Sequence, residues 1–428
     1  MAVLQYLNIS RLLPQRDANN KIVDWVSDGS EAIERVPHVF FRNGEPWFEA
    51  NRFAMDKIRN TSDNSIKTIT STLGHLKNYA SWLEEVEMDW RHFPNRKRDR
   101  CLFLYRGHLI KQRNTNRLMP STASARMSAV VRFYRWCYSE GLVGEKPLWE
   151  DSYKVLKFYN AEGFNRTMSV LSSELSIPNR KRSGLVLEDG LLPVTRKMRD
   201  KLLRYLSDNN YVELHLMLAV GFFTGARSET IRTLRLKDID NATFDPQQPN
   251  LKYITVGPPS TVKTKYGVSG QLAIPKSLFD ELEEYFYSPR RLMRQALSKK
   301  ENRTVLFLTS KGNPYSDTSF TKVMSDLRKK MIADGFSDFK SFHFHQSRAT
   351  FGSEIMSLAL QNLPDKADAI CFVRDAMLHK HESTTWKYVK FLERHPLNEK
   401  LASEFYYLIT GSSTKAQRDG ALEDYENG

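Results

Sequence analysis

The sequence predicts a mainly α-helical protein with one small β-sheet confined to its C-terminal half. Three observations carry this. Apolar residues recur at helical spacing over most of the chain beyond residue 65. A β signal, a short strand followed by a hairpin, lies between Tyr253 and Pro275. At 428 residues the chain exceeds one ordinary core, so two or three domains are expected.

Residues 1–60 read as an irregular N-terminal arm with short apolar pieces, His38-Val-Phe-Phe41 and Pro46-Trp-Phe48. From Ile66 the pattern becomes helical: Ile66, Ile69, Leu73, Leu76, Tyr79, Ala80 and Leu83 share one face, with Asp63 or Asn64 as cap. Leu102, Leu104 and Leu109 follow a charged stretch. A further helix spans 121–137, with Met127, Val130, Val131 and Tyr134 inward and Arg126, Arg132 and Arg135 elsewhere. Residues 61–145 therefore read as a compact helical domain.

Residues 146–190, rich in Pro and Gly, read as a linker, and 191–410 as a second domain. Thr195 is placed to cap a helix carrying Met198, Leu202, Leu203 and Leu206. Val212–Val220 is apolar enough to be buried, and Gly221 and Gly225 flank a turn from which Arg227 opens the next helix. Tyr253–Val256 reads as a strand and Thr261–Pro275 as a hairpin broken by Gly267 and Gly270. Helices follow at 278–287 and 290–297, and from Ser319 almost to Thr410. The small, polar tail, 411–428, is expected to be disordered.

The formal charge of +14 favours a polyanionic partner, through phosphate neutralisation and counterion release. Nine Lys/Arg lie between Arg91 and Arg117. Arg96, Lys97, Arg98 and Arg100, with Arg126 and Arg132, are candidate DNA-binding residues, against the plainer reading of solvated helix faces. Cys101, Cys137 and Cys371 form no CxxC and stand beside no zinc-spaced histidines, as expected of a reduced, intracellular chain. Neither signal peptide nor membrane span is expected, which points to a cytoplasmic, nucleoid-associated protein.

Three pieces carry the chemistry: Thr224-Gly-Ala-Arg227, His345-Gln-Ser-Arg348, and a stretch in which His379 stands nine positions before Tyr388. A phenol, two arginines and two histidines in one half of a basic chain suggest phosphoryl transfer on nucleic acid. Arginine suits the role of offsetting charge on non-bridging phosphate oxygens, since its planar fork donates in pairs and never loses its proton. For each arginine the competing reading is a pair with a buried carboxylate; for Tyr388 it is packing on a helix.

In combination these pieces resemble the catalytic signature of the tyrosine recombinase (phage integrase) family, covering about 190–410. The helical unit before it resembles that family's SAM-like core-binding domain, and the second domain its mixed α+β catalytic domain. The resemblance implies a site-specific DNA recombinase that needs no cofactor and no metal. Arg227 and Arg348 would stabilise the phosphate, and Tyr388 would form a covalent 3′-phosphotyrosine, storing the bond energy for rejoining. His345 would help move the phenolic proton and His379 would hydrogen-bond the phosphate. A hairpin lysine would protonate the leaving 5′-oxygen. Lys263 or Lys265 occupies that place, and Lys263, in Val-Lys-Thr, fits the pattern better. The implied partners are duplex DNA, further copies in a tetramer that clamps it, and accessory or sister recombinases. The sequence departs from the pattern twice. Thr230 stands where an acid is usual, three places after the first arginine, with Glu229 one place early. Leu378 stands where glycine usually precedes the last histidine.

Two relatives in chemistry or fold compete: a DNA-binding protein that keeps the fold without catalysis, and a type IB topoisomerase-like enzyme. The full Arg, Lys, His, Arg, His, Tyr set argues against the first, and the long helical N-terminal unit against the second. A two-metal nuclease would need clustered carboxylates, whereas Glu281, Glu283 and Glu284 are spread along a helix.

Overall fold

In the computed structural model, residues 1–60, 66–144, 146–159, 165–179, 187 and 190–394 are described. They fall into two compact units, Met1–Phe158 with Arg166–Ser183, and Tyr159–Asn165 with Gly184 onward.

The first unit begins with strands where an irregular arm was expected. β1 (Val3–Ile9) pairs antiparallel with β4 (Ile33–Phe40), and β2 (Leu12–Arg16) with β3 (Ile22–Ser27). The alternation is hard to read in sequence because β2 and β3 are exposed along nearly their whole length, so no apolar face marks them. α1 (Phe48–Asn60) then joins α2 (Ile66–Glu85), α3 (Cys101–Asn114) and α4 (Pro120–Ser139). Trp47, Phe53, Tyr79, Tyr105, Phe133 and Tyr134 fill their shared core. The helical spacing holds: Ile69, Leu73, Leu76, Tyr79, Ala80 and Leu83 of α2 are buried, and only Ile66 of the expected face is not. On α4 the expected face, Met127, Val130, Val131 and Tyr134, is buried. The caps expected at Asp63 or Asn64 lie outside the described residues.

The stretch expected to be a linker includes β5 (Asp151–Tyr159) and β6 (Asn165–Ser173), which pair as a two-stranded sheet. Leu175 and Ile177 belong to the core of the first unit, so apolar anchoring continues past the ribbon.

The second unit holds α5 (Arg196–Asp208), α6 (Val212–Thr224), α7 (Ser228–Arg232) and α8 (Leu236–Asp240), followed by β7 (Thr243–Phe244), β8 (Leu251–Val256) and β9 (Gly270–Pro275). Thr195 caps α5 as expected, accepting from Met198 N at 3.2 Å. β7, β8 and β9 form an antiparallel sheet, with Leu251 opposite Pro275 and Val256 opposite Gly270. Ile254, Val256, Leu272 and Ile274 are buried, placing one face of the sheet in the core. The connection between β8 and β9, which carries Lys263 and Lys265, is a loop rather than extended strand.

α9 (Lys276–Tyr287), α10 (Pro289–Ala296), α11 (Asp317–Ala333), α12 (His345–Asn362) and α13 (Lys366–Ala376) complete this unit, with residues 382–394 helical as α14. α12 packs closely on α6 because small residues meet there: a Cβ at Gly221 would lie 2.7 Å from Ser347 Oγ. The tail expected to be disordered, and the apolar residues Leu401, Phe405 and Leu408, lie outside the described residues. Among the described residues no helix is long and apolar enough to cross a membrane.

Candidate active site

The site is built in the second unit where the turns after α6 and α13 and the β8–β9 loop meet Arg348 of α12. α6 ends at Gly225, whose φ of +66° is the left-handed conformation that glycine adopts without strain. This turns the chain so that Arg227 becomes the N-cap of α7. A side chain at Gly225 would also run into Phe351 of α12, its Cβ lying 3.2 Å from the ring Cγ. The Thr-Gly-Ala-Arg spacing thus has a local physical basis: a helix stop, a tight approach, then the cation.

Arg348 sits one turn into α12 and is 2% exposed. Nη1 donates to Gly225 O at 2.5 Å and Nη2 to Met377 O at 2.7 Å. Its fork therefore ties the turn after α6 to the turn after α13. Arg227 and Arg348 line one cleft together with Thr224, Thr230, Thr264 and Leu378. Thr230, standing where the acid is usual, is buried at the wall of this cleft, whereas Glu229 is not among the lining residues.

The turn after α13 closes with two main-chain bonds, Leu378 N to Asp375 O at 3.1 Å and His379 N to Arg374 O at 2.9 Å. This is the Schellman pattern, in which glycine is usual at the position held by Leu378. Leu378 nonetheless adopts φ +51°. Its side chain compensates by packing against the core and over Gly270 of β9, where a Cβ would collide with Leu378 Cδ2. The departure at Leu378 is thus a paired arrangement of leucine on one element and glycine on the other.

His379 is buried, and its Nδ1 is hydrogen-bonded to Thr385 Oγ1 at 2.9 Å. The His379 and Tyr388 rings lie 6.1 Å apart and 28° from parallel. Tyr388, on α14, is fully buried; its ring rests on Gly352 of α12 and belongs to the same buried cluster as Met377. α14 starts just after His381, so the nine-residue interval places His379 on the turn and Tyr388 on the following helix.

His345 is half-buried at the first position of α12, one turn before Arg348. Lys263 is exposed, and its main-chain N–H donates to Thr233 Oγ1 at 2.9 Å; its neighbour Thr264 lines the cleft. Lys265 is also exposed, its Nζ lying 5.3 Å from the ring centre of Tyr266. Thr385, Gly352 and the carbonyls of Gly225 and Met377 are the supporting groups that sequence reasoning missed. Only Gly225, within the quoted motif, gave a signal.

The six basic residues singled out for DNA lie in the first unit and divide by their contacts. Arg100 donates to Pro94 O, Pro147 O and Leu148 O, so it clamps loops. Lys97 is paired with Glu150 and Glu174. Arg98 is largely exposed beside Asp99, and Arg96 is exposed. Arg126 and Arg132 of α4 both act on His75 of α2. Burial and these two cations hold the His75 imidazole below its usual range. Among the described residues no group of three or more His, Cys, Asp or Glu could hold a metal ion.

Residues 194–395 match the phage integrase family. Among solved structures, the chain is similar to the Tn1549 transposon integrase in complex with circular intermediate DNA, at 13% identity and a TM-score of 0.49, covering 79% of this chain and 93% of that one. It is also similar to a lambda integrase dimer bound to a COC′ core site, at 14% identity and a TM-score of 0.47, covering 80% of this chain and 94% of that one. No curated protein sequence matches the chain. Residues 194–395 thus form a phage integrase family domain, the domain of the tyrosine-type site-specific DNA recombinases.

Proposed function

We propose that Tyr388 is the nucleophile with which this recombinase cuts and rejoins duplex DNA on behalf of a mobile element. The phenolic oxygen attacks the scissile phosphorus, the bond to the 5′-oxygen breaks, and a 3′-phosphotyrosine forms. Arg227 and Arg348 offset the charge that grows on the non-bridging oxygens. His345 takes part in moving the phenolic proton, His379 hydrogen-bonds the phosphate, and Lys263 protonates the leaving 5′-oxygen. Rejoining runs the same steps backwards with the 5′-hydroxyl as attacker, so no external energy source is required.

The observation that carries this reading is the Arg348 fork. It holds the turn leading to Arg227 and the turn leading to His379 against each other, with Tyr388 packed on the same helix that carries Arg348. Because Tyr388 is fully buried, α14 must shift for its oxygen to meet a phosphate. Such a movement on binding DNA keeps the nucleophile from reacting before a site is engaged. The active assembly is a tetramer on two DNA sites, as the lambda integrase tetramer bound to a Holliday junction illustrates for that protein. Arg126 and Arg132 contribute to gripping the duplex backbone, and the protein works in the cytoplasm on nucleoid DNA.

The test is incubation with a nicked suicide copy of the DNA flanking its gene. A covalent protein–DNA adduct is expected, and it should vanish in Tyr388→Phe. An adduct that persists unchanged in that variant would remove Tyr388 from the role.

A further inference from the structure

The loop between β8 and β9 presents an aromatic ring in an unusual way. Gly267 N donates to Thr264 O at 3.2 Å, so Lys265 and Tyr266 are the central residues of a turn. Tyr266 has φ +64° and ψ +17°, the left-handed conformation. At such a turn position glycine or asparagine is favoured, and a bulky side chain there is strained. The strain returns little packing, since Tyr266 is 67% exposed. Strain of this kind points to a function for the residue held there.

The ring's surroundings indicate which function. Lys265 Nζ lies 5.3 Å and Lys380 Nζ 5.5 Å from its centre. Lys380 directly follows His379, and Thr264, two residues before Tyr266, lines the cleft that holds Arg227 and Arg348. An exposed aromatic ring with two ammonium groups near it, beside the cleft of the two arginines proposed to bind phosphate, matches the recognition of a single nucleotide. The ring accepts a base by stacking while the cations neutralise the adjoining phosphates. The strained backbone fixes the ring outward, so it need not be ordered when the base arrives.

We infer that Tyr266 is a base-stacking residue that receives a nucleobase unstacked next to the cut phosphate, with Lys265 and Lys380 holding the flanking phosphates. This rests on the recombinase reading above. Attack requires the phosphate to sit in line with an incoming phenol, and unstacking a neighbouring base frees the backbone to adopt that geometry.

The probe is a pair of duplexes, one fully paired and one carrying a single unpaired 2-aminopurine, titrated against the full chain bearing Tyr388→Phe. Tighter binding of the unpaired duplex is expected, with quenching of 2-aminopurine emission. Adding Tyr266→Phe should preserve both effects. Adding Tyr266→Gly, which relaxes the backbone, should cut the preference roughly tenfold and abolish the quenching, while paired-duplex binding stays within about twofold. Equal preference and quenching in Tyr266→Gly would overturn the inference alone. So would loss in Tyr266→Phe, which would assign the role to the hydroxyl. Unchanged DNA preference with weakened protein–protein assembly would overturn it in favour of a protein contact. Failure to bind either duplex would overturn the recombinase reading as well.

Discussion

The Tyr388 ring lies directly on the backbone of Gly352: a Cβ at that glycine would collide with Tyr388 Cε1 and come within 2.6 Å of Cζ. Helix α12 thus lacks a side chain at the one place where the proposed nucleophile presses on it. Gly352→Ala is expected to displace Tyr388 and Met377, at a cost in stability of about 1–3 kcal/mol from overpacking. Adduct formation should fall far more than stability, on the order of a hundredfold for a displacement near 1 Å. Thermal melts and adduct yield measured together check this, and equal adduct yield would show that the ring tolerates displacement.

The Leu378 and Gly270 arrangement predicts coupling. Leu378→Gly relieves a left-handed leucine, a gain of about 1 kcal/mol, but removes an apolar side chain from the core, a loss of about 2 kcal/mol. Gly270→Ala forces Leu378 aside and should cost more than an exposed-strand substitution. In Leu378→Gly with Gly270→Ala the collision disappears, so the double variant should be more stable than the two single effects summed. Chemical denaturation of the four proteins checks it.

The two arginines should separate by consequence. Arg227 is half-buried and only stands at the N-cap position of a short helix, without a side-chain capping bond, so Arg227→Ala should abolish the covalent adduct while most DNA binding survives. Arg348→Ala leaves two carbonyls without their shared donor, and should destabilise the second unit by about 3 kcal/mol as well as abolishing the adduct. Arg348→Lys should not rescue either property, because one ammonium cannot reproduce a planar fork between two acceptors. Folding measured by denaturation, beside the adduct assay, distinguishes the two positions.

Acid should loosen the first unit. Burial, aided by Arg126 and Arg132, holds His75 below its ordinary value of 6.5, and burial does the same for His108, opposed by Glu85 and aided by Arg126 and Lys111. Below about pH 6.5 the unfolded chain therefore binds more protons at these positions than the folded one. Their contribution to stability is fully present above that pH and is lost as pH falls through their folded values. Melting temperatures followed from pH 7.5 to 5 should fall, and His75→Gln should flatten the decline.

Much of this site was legible in the sequence because motif spacing encodes turns. Arg227 follows the glycine that ends α6, Arg348 lies one turn after His345, and the interval from His379 to Tyr388 is a turn plus a helical stretch. The helical core was legible through its period, as on α2 and α4. The strands of residues 1–40 escaped because β2 and β3 bury almost nothing, leaving no alternation to read. The acceptors of Arg348 escaped for a different reason. They are carbonyl oxygens, which every residue carries, so no side chain marks Met377 as a partner. The basic run from Arg91 to Arg117 misled in part, since Arg100 and Lys97 bind loops and carboxylates within their own unit.

The fork of Arg348 also bears on the order in which this enzyme becomes capable of harm. Its two acceptors lie 123 and 29 residues away along the chain, one far upstream and one downstream. A ribosome delivers Arg227 early, Arg348 later, and Met377, His379 and Tyr388 later still. Until that final turn emerges, the guanidinium lacks its second anchor and the phenol does not yet exist. With Tyr388 as the proposed nucleophile, the cationic groups of the site are therefore made before the group that would cut, and the clamp that gathers them closes only near the end of synthesis.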